Sequence, residues 1–202
     1  MKKIREGDQR VRVGNFNRKG LCLLQLDGKV FGIIGTGRIG SCVAKIANCF
    51  NCKVIATTLH PDLERGKRLG VEYVDLEGLL KESDIISLHI PLNPYTVDSI
   101  SYKEFRLMRK KPILINTARG KLINHSALVW ALSEGIIYGA GLDVLPYEPQ
   151  HKETSLLKFS NVIFSPHNAF CTPKALESRA GTIIANIKSF IIGKPMNIVS
   201  IK

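Results

Sequence analysis

Six consecutive residues and three charged side chains far downstream carry the chemistry this sequence offers. Gly35-Thr36-Gly37-Arg38-Ile39-Gly40 directly follows the apolar run Val30-Phe31-Gly32-Ile33-Ile34 and opens an amphipathic helix pattern. Between a strand and a helix, a G-x-G-x-x-G is a phosphate cradle. The first glycine permits the tight turn, the second lets the backbone approach a pyrophosphate, and the third lets helix and strand pack closely. The free N–H groups and positive end of the helix then hold the phosphates. Gly35, Gly37, Arg38, Ile39 and Gly40 are therefore candidate cofactor-binding residues; the bland alternative is a structural glycine turn.

Arg119, Glu148 and His167 each come after a further apolar, strand-like run. An arginine in such a loop either forms a bidentate pair with a substrate carboxylate or sits in a structural ion pair. A histidine can give a proton to a developing alkoxide and take it back in reverse. A nearby carboxylate favours its protonated form and fixes its orientation. Glu148 fits that role, or is a solvated loop charge; Asp143, ending its own strand, fits a site role or a turn cap. Beside a nicotinamide, the set would reduce a 2-keto acid; the other reading is a catalytically inactive dinucleotide-binding module acting through self-association or partner binding.

One expected residue is replaced. An acid about 20 residues past the glycine loop, at the end of the second strand, hydrogen-bonds the adenosine ribose in this motif. Here Thr58 stands 18 residues after Gly40. Threonine still bonds a hydroxyl but does not repel a 2′-phosphate, and His60, Arg65 and Lys67 can attract one. NAD is the expected cofactor, with NADP not excluded.

The positioning elements follow from periodicity. Strand-like runs at 30–34, 53–58, 71–74, 84–90, 112–116, 136–143 and 161–164 alternate with helical patterns. Helices are expected after Gly40, from Pro61 to about Gly70, at 76–81, 101–110 and 127–132, and as a long helix from Thr172 and Pro173. On that last helix Leu176, Ala180, Ile183, Ile184, Ile187, Phe190 and Ile191 form the apolar stripe expected to face a core. This alternation implies an α/β fold, a Rossmann-type doubly wound, mainly parallel sheet with helices on both faces. Ligands in such sheets bind beyond the carboxyl ends of the strands. The expected organisation is an approach segment at 1–29, the dinucleotide-binding domain at 30–172, and a C-terminal helix and tail at 173–202.

Composition narrows the classes. The 202 residues carry 29 Lys+Arg against 17 Asp+Glu, a net charge of +12. That balance suits an anionic cofactor and a carboxylate substrate as well as nucleic acid. The basic residues are scattered, with no stripe interleaved with aromatics, which disfavours nucleic acid. No apolar run approaches the length of a membrane helix, and no apolar signal segment follows the basic N-terminus, so a cytoplasmic location is expected. Five cysteines include Cys49-Phe50-Asn51-Cys52. A second ligand pair for zinc is missing, so no metal is expected and the pair reads as apolar filler. His60, His89, His125 and His151 read as structural or exposed.

The chain resembles the coenzyme domain of the D-isomer-specific 2-hydroxyacid dehydrogenases, most of all the D-lactate dehydrogenases. The resemblance rests on GNFNRKGL at 14–21, GTGRIG at 35–40, GVEYVDLEGLL at 70–80, ESDIISLHIPL at 82–92, NTARGKLI at 116–123, GAGLDVLPYEP at 139–149 and SPHNAFCT at 165–172. It implies that Arg119 binds the substrate carboxylate, Glu148 partners the histidine, and His167 is the acid/base. It also implies that Asp143 meets the nicotinamide end, and that Pro91, Thr96, Thr117 and Ala118 contact cofactor. Members of the family carry a substrate domain ahead of the coenzyme domain, and this chain begins within the helix leading into the latter. The expected partners are a small 2-keto or 2-hydroxy acid, a second copy in a homodimer, and a separately encoded substrate domain.

Overall fold

Six of seven parallel strands end in register, and that alignment positions the site. In this computed structural model, which describes residues 3–21, 24–148 and 154–199, the strands are β1 Val30–Ile34, β2 Lys53–Thr57, β3 Val71–Tyr73, β4 Ile85–Leu88, β5 Ile113–Asn116, β6 Gly139–Leu142 and β7 Val162–Phe164. Their order in the sheet is β3-β2-β1-β4-β5-β6-β7. Thr57 pairs with Ile34, Ile34 with Leu88, Leu88 with Asn116, Asn116 with Leu142, and Leu142 with Phe164. Each of these six is the last residue of its strand, so six loops leave from one transverse row. Strand order reverses between β1 and β4, where a crevice forms in sheets of this kind.

The helices are α1 Ile4–Arg12, α2 Arg38–Cys49, α3 Leu63–Leu69, α4 Leu76–Glu82, α5 Tyr102–Leu107, α6 His125–Ser133 and α7 Pro173–Ile191. Local chemistry sets their starts. Asp62, Asp75, Asn124 and Thr172 cap α3, α4, α6 and α7 by accepting from main-chain N–H groups, and Ser101 with Glu104 makes a capping box for α5. Each such cap is worth about 1 kcal/mol.

Successive strand residues point to opposite faces. Ile34 and Ile55 join one core with Leu79 and Leu80 of α4, Phe105 of α5, and Leu128 and Leu132 of α6. Their neighbours Ile33, Val54 and Ala56 join a second core with Ala44 and Ala47 of α2. Helices thus cover both faces, as the alternation requires. The chain divides into two units, Met1–Phe164 and Ser165–Lys202.

The helix that the resemblance places at the start of the chain is α1, held by i,i+4 pairs Arg10–Glu6 and Arg12–Asp8. Several local expectations are corrected. The sixth strand starts at Gly139, not Ile136, because the Ile136 N–H donates to Ala131 O and closes the end of α6. α5 stops at Leu107, and Lys111 takes a left-handed conformation, φ 49°, just before Pro112. Pro61 precedes the cap of α3 and lies outside its first turn. No residue of α7 is buried, and its apolar stripe is exposed, from Leu176 at 46% to Ile191 at 75%. Of the C-x-x-C pair only Cys52 is buried; Cys49 is exposed. Burial, then the Asp27 and Asp84 carboxylates, push the Cys52 thiol above its ordinary value. Cys22 and His151 lie outside the described residues.

Candidate functional site

The glycine loop leaves β1 at the reversal of strand order. Gly35 has φ +97°, a conformation side chains rarely adopt. A Cβ there would also stand 2.6 Å from the main-chain oxygen of His89, just past β4. The Gly35 N–H donates to Thr57 O at 2.9 Å, tying the loop to the end of β2. A Cβ on Gly40 would overlap the Gly35 carbonyl oxygen, so glycine is needed where α2 crosses the loop. Gly37, the N-cap of α2, differs: nothing lies within 4 Å of where its Cβ would be. Two glycines are held by protein packing, and the middle one faces open space at a helix N-terminus. That is the pattern a pyrophosphate cradle requires, so these residues fit a dinucleotide. Arg38 and Ile39, in the first turn, are exposed.

Thr58, half-buried, is the first residue past β2. Arg65 of α3 donates from Nη2 to Ser41 Oγ of α2 at 2.8 Å. Ser41 Oγ donates to Thr36 O at 2.9 Å, and Tyr73 OH to Thr36 Oγ1 at 3.3 Å. This chain of polar contacts joins α3 and β3 to the glycine loop. Past β4, Thr96 Oγ1 donates to Pro91 O at 2.7 Å and accepts from Asn93 N–H at 2.8 Å, folding 91–96 on itself. His89 is half-buried with Nε2 2.9 Å from Ser87 Oγ, and burial lowers its pKa below the ordinary 6.5.

The loops after β5 and β6 are built around Asn116. Its side chain, 1% exposed, accepts from Ala118 N–H at 3.0 Å and donates to Arg119 O at 2.9 Å. Both halves of the amide thereby hold Thr117, Ala118 and Arg119 in one turn. Asn116 O accepts from Asp143 N–H at 3.0 Å, which fixes the start of the next loop. Asp143 is buried, at 4% exposure. A Cβ on Gly120 would overlap the main chain of Leu145 and Pro146, so the two loops touch only because residue 120 is glycine. The Leu145 N–H donates to Glu148 Oε1 at 2.7 Å. Arg119 is exposed, and among the described residues it forms no ion pair; its Nη1 donates to Ala118 O at 2.6 Å. Sequence reading passed over Asn116 and Gly120, since nothing local distinguishes an asparagine or glycine that holds a distant loop.

In the second unit His167 is half-buried and has φ +51°. Left-handed backbone is uncommon for a residue with a side chain and persists where surroundings enforce it. Its N–H donates to Ser165 O at 3.0 Å, and its ring meets Phe170 edge-on at 5.9 Å. Among the described residues no cluster of three His, Cys, Asp or Glu side chains stands ready for a metal ion. No described helix is long and apolar enough to cross a membrane.

Sheet order, glycine loop and strand-end loops define a dinucleotide-binding α/β protein. The family follows from comparison: the NAD binding domain of the D-isomer specific 2-hydroxyacid dehydrogenases matches residues 1–169, and the chain belongs to that family. NAD is accordingly its cofactor class. The chain is 46% identical over 178 residues to a glyoxylate reductase of Thermococcus litoralis, covering 87% of this chain and 53% of that protein. The apo structure of Escherichia coli D-lactate dehydrogenase superposes with a TM-score of 0.87 at 36% identity, over 97% of this chain and 62% of that one. Aquifex aeolicus D-lactate dehydrogenase, complexed with NAD and lactic acid, gives 0.87 at 35% identity, over 96% and 62%. The chain thus spans little more than half the length of these relatives.

Proposed function

We propose that this chain is the coenzyme half of a D-2-hydroxyacid dehydrogenase of the D-lactate type, acting on a small 2-keto or 2-hydroxy acid. The observation that carries the reading is the common row of strand ends. Gly35, Thr58, Pro91, Thr117, Ala118, Arg119 and Asp143 all lie within three residues of that row, along the edge where such sheets bind ligands. NAD(H), when bound, supplies or accepts hydride at the substrate carbon. Arg119, exposed and without an ion pair among the described residues, anchors the substrate carboxylate by a bidentate contact. His167 gives the proton to the carbonyl oxygen as the carbon takes hydride, and removes it in the reverse direction. Glu148 is the carboxylate partner in this scheme. Asp143 serves the nicotinamide end, and Pro91, Thr96, Thr117 and Ala118 line the dinucleotide.

A substrate domain completes the cleft and excludes water from it. The protein works in the cytoplasm as a homodimer; the exposed apolar stripe of α7 supports self-association. Sedimentation across a concentration series tests the dimer. The catalytic reading is tested with NADH and glyoxylate or pyruvate, using the chain alone and with a substrate domain added in trans. Oxidation of NADH under the second condition is expected. Its absence there, with NADH bound, would sink the catalytic role.

A further inference from the structure

We propose that the small cavity behind the loops after β5 and β6 is a built-in water site, where one water bridges His125 Nδ1 to the Asn116 amide and makes His125 a positioning residue for the Arg119 loop. The inference rests on the substrate-anchoring role proposed for Arg119 and deepens it.

Three observations converge. First, His125 Nδ1 is buried and, among the described residues, has no hydrogen-bond partner. The other ring nitrogen, Nε2, lies 3.5 Å from Ser155 Oγ, at the outer limit of a hydrogen bond. A ring nitrogen calls for a partner whether it donates or accepts, and a buried polar atom without a protein partner is where ordered water is found in native proteins. Second, His125 lines a cavity with Asn116, Gly120, Val144, Leu145 and Leu156, and the space open to a water's centre is about 10 Å³. That is about the room one water needs, and too little for an organic ligand. No Asp, Glu or Cys lines it, so a metal ion would find no anionic ligand there. Third, Asn116 has a donor to spare. Its Oδ1 accepts from Ala118 N–H and its Nδ2 donates to Arg119 O. An amide nitrogen carries two hydrogens, and this side chain is 1% exposed. A water that accepts the second N–H is free to donate to Nδ1 or accept from it, so it suits either tautomer of the ring.

The placement gives the water its role. Asn116 holds Thr117, Ala118 and Arg119 in one turn, and His125 opens α6 directly after its cap, Asn124. A bridge between the two ties the carboxylate-anchoring turn to the start of a packed helix. The turn is then supported from behind by something its own sequence does not contain.

The first test is a high-resolution crystal structure of the 202-residue chain. One isolated peak is expected at about 2.7–3.2 Å from both His125 Nδ1 and Asn116 Nδ2. A dry cavity, or a side chain in contact with Nδ1, overturns the inference. The second test separates the two ring nitrogens, since the amide of Asn reaches the position of Nδ1 and the amide of Gln that of Nε2. With a substrate domain added in trans, His125→Leu and His125→Gln are expected to raise the keto-acid KM about tenfold, the scale of one buried hydrogen bond. His125→Asn is expected to stay within about twofold of the parent, and the NADH Kd to hold within about twofold in all three. Rescue by Gln and not by Asn assigns the role to the Ser155 contact and overturns the water bridge. An unchanged KM in all three, or a parallel loss of NADH affinity, overturns the positioning role. A parent chain that binds NADH but shows no turnover sinks the catalytic reading alone, and the crystal structure still decides the water.

Discussion

Gly37 and Gly40 belong to one motif, yet the structure gives them separable roles. Gly40→Ala places a Cβ against the Gly35 carbonyl oxygen, with Gly35 C at 3.1 Å and Ile33 Cγ2 at 3.3 Å. The main contact is backbone, so relief requires α2 or the loop to move by about 1 Å, and overpacking of that kind costs about 1–3 kcal/mol. For a chain of this size the loss lowers Tm by roughly 3–10 °C. Gly37→Ala meets nothing within 4 Å, and φ −64° with ψ −162° suits alanine. Its stability cost is at most about 1 kcal/mol, from the poorer N-cap. The new methyl instead fills the space a pyrophosphate would occupy and lifts the phosphates off the helix N–H groups. Loss of two such charge-assisted bonds corresponds to roughly a hundredfold in affinity. Thermal unfolding by circular dichroism and NADH titration by calorimetry separate the two. Gly37→Ala is expected to melt near the parent and bind NADH poorly; Gly40→Ala melts early. Equal destabilisation by both, or NADH affinity unchanged in Gly37→Ala, would refute the division of labour.

Other expectations follow from single contacts. Asn116→Ala strips partners from Ala118 N–H and Arg119 O, so it should destabilise by about 2 kcal/mol in urea unfolding and weaken oxamate-type carboxylate binding more than NADH binding. Gly120→Ala drives the loops after β5 and β6 apart and should reduce turnover with the substrate domain added in trans, while NADH affinity changes far less. His167→Ala should abolish any turnover and leave the NADH Kd within about twofold, because a proton donor adds to the transition state and not to cofactor affinity. The pKa of His89 is lowered by burial. Below the ordinary 6.5 the unfolded chain therefore binds the extra proton first, and stability falls with pH until the folded-state value is passed. Urea midpoints should decline as pH drops through that window, and less so in His89→Asn; identical slopes would remove His89 as the source.

The sequence by itself determined the class of fold and the composition of the candidate site. Strand and helix periods alternate plainly, and a glycine motif between them has few other uses. Loops after strands were legible because apolar runs end sharply at Pro91, Asn116 and Asp143. α7 exposed the limit of the same reasoning. Its stripe at Ile183, Ile187 and Phe190 has helical spacing, but spacing says only that a face is apolar, not that anything covers it, and none of those residues is buried.

Only the tertiary structure decided which residues hold the loops in place. Asn116 and Gly120 act across loops that are distant in sequence, and Arg65 reaches α2 from α3, 24 residues away. Ser41, Thr36 and Tyr73 join that network in the same way. Register set the rest: six strands end on one row because parallel pairing aligns them, and a one-residue slip would have turned each strand's side chains to the other face. Local pattern encodes which way a residue faces, whereas the meeting of two distant residues depends on how every strand between them is paired.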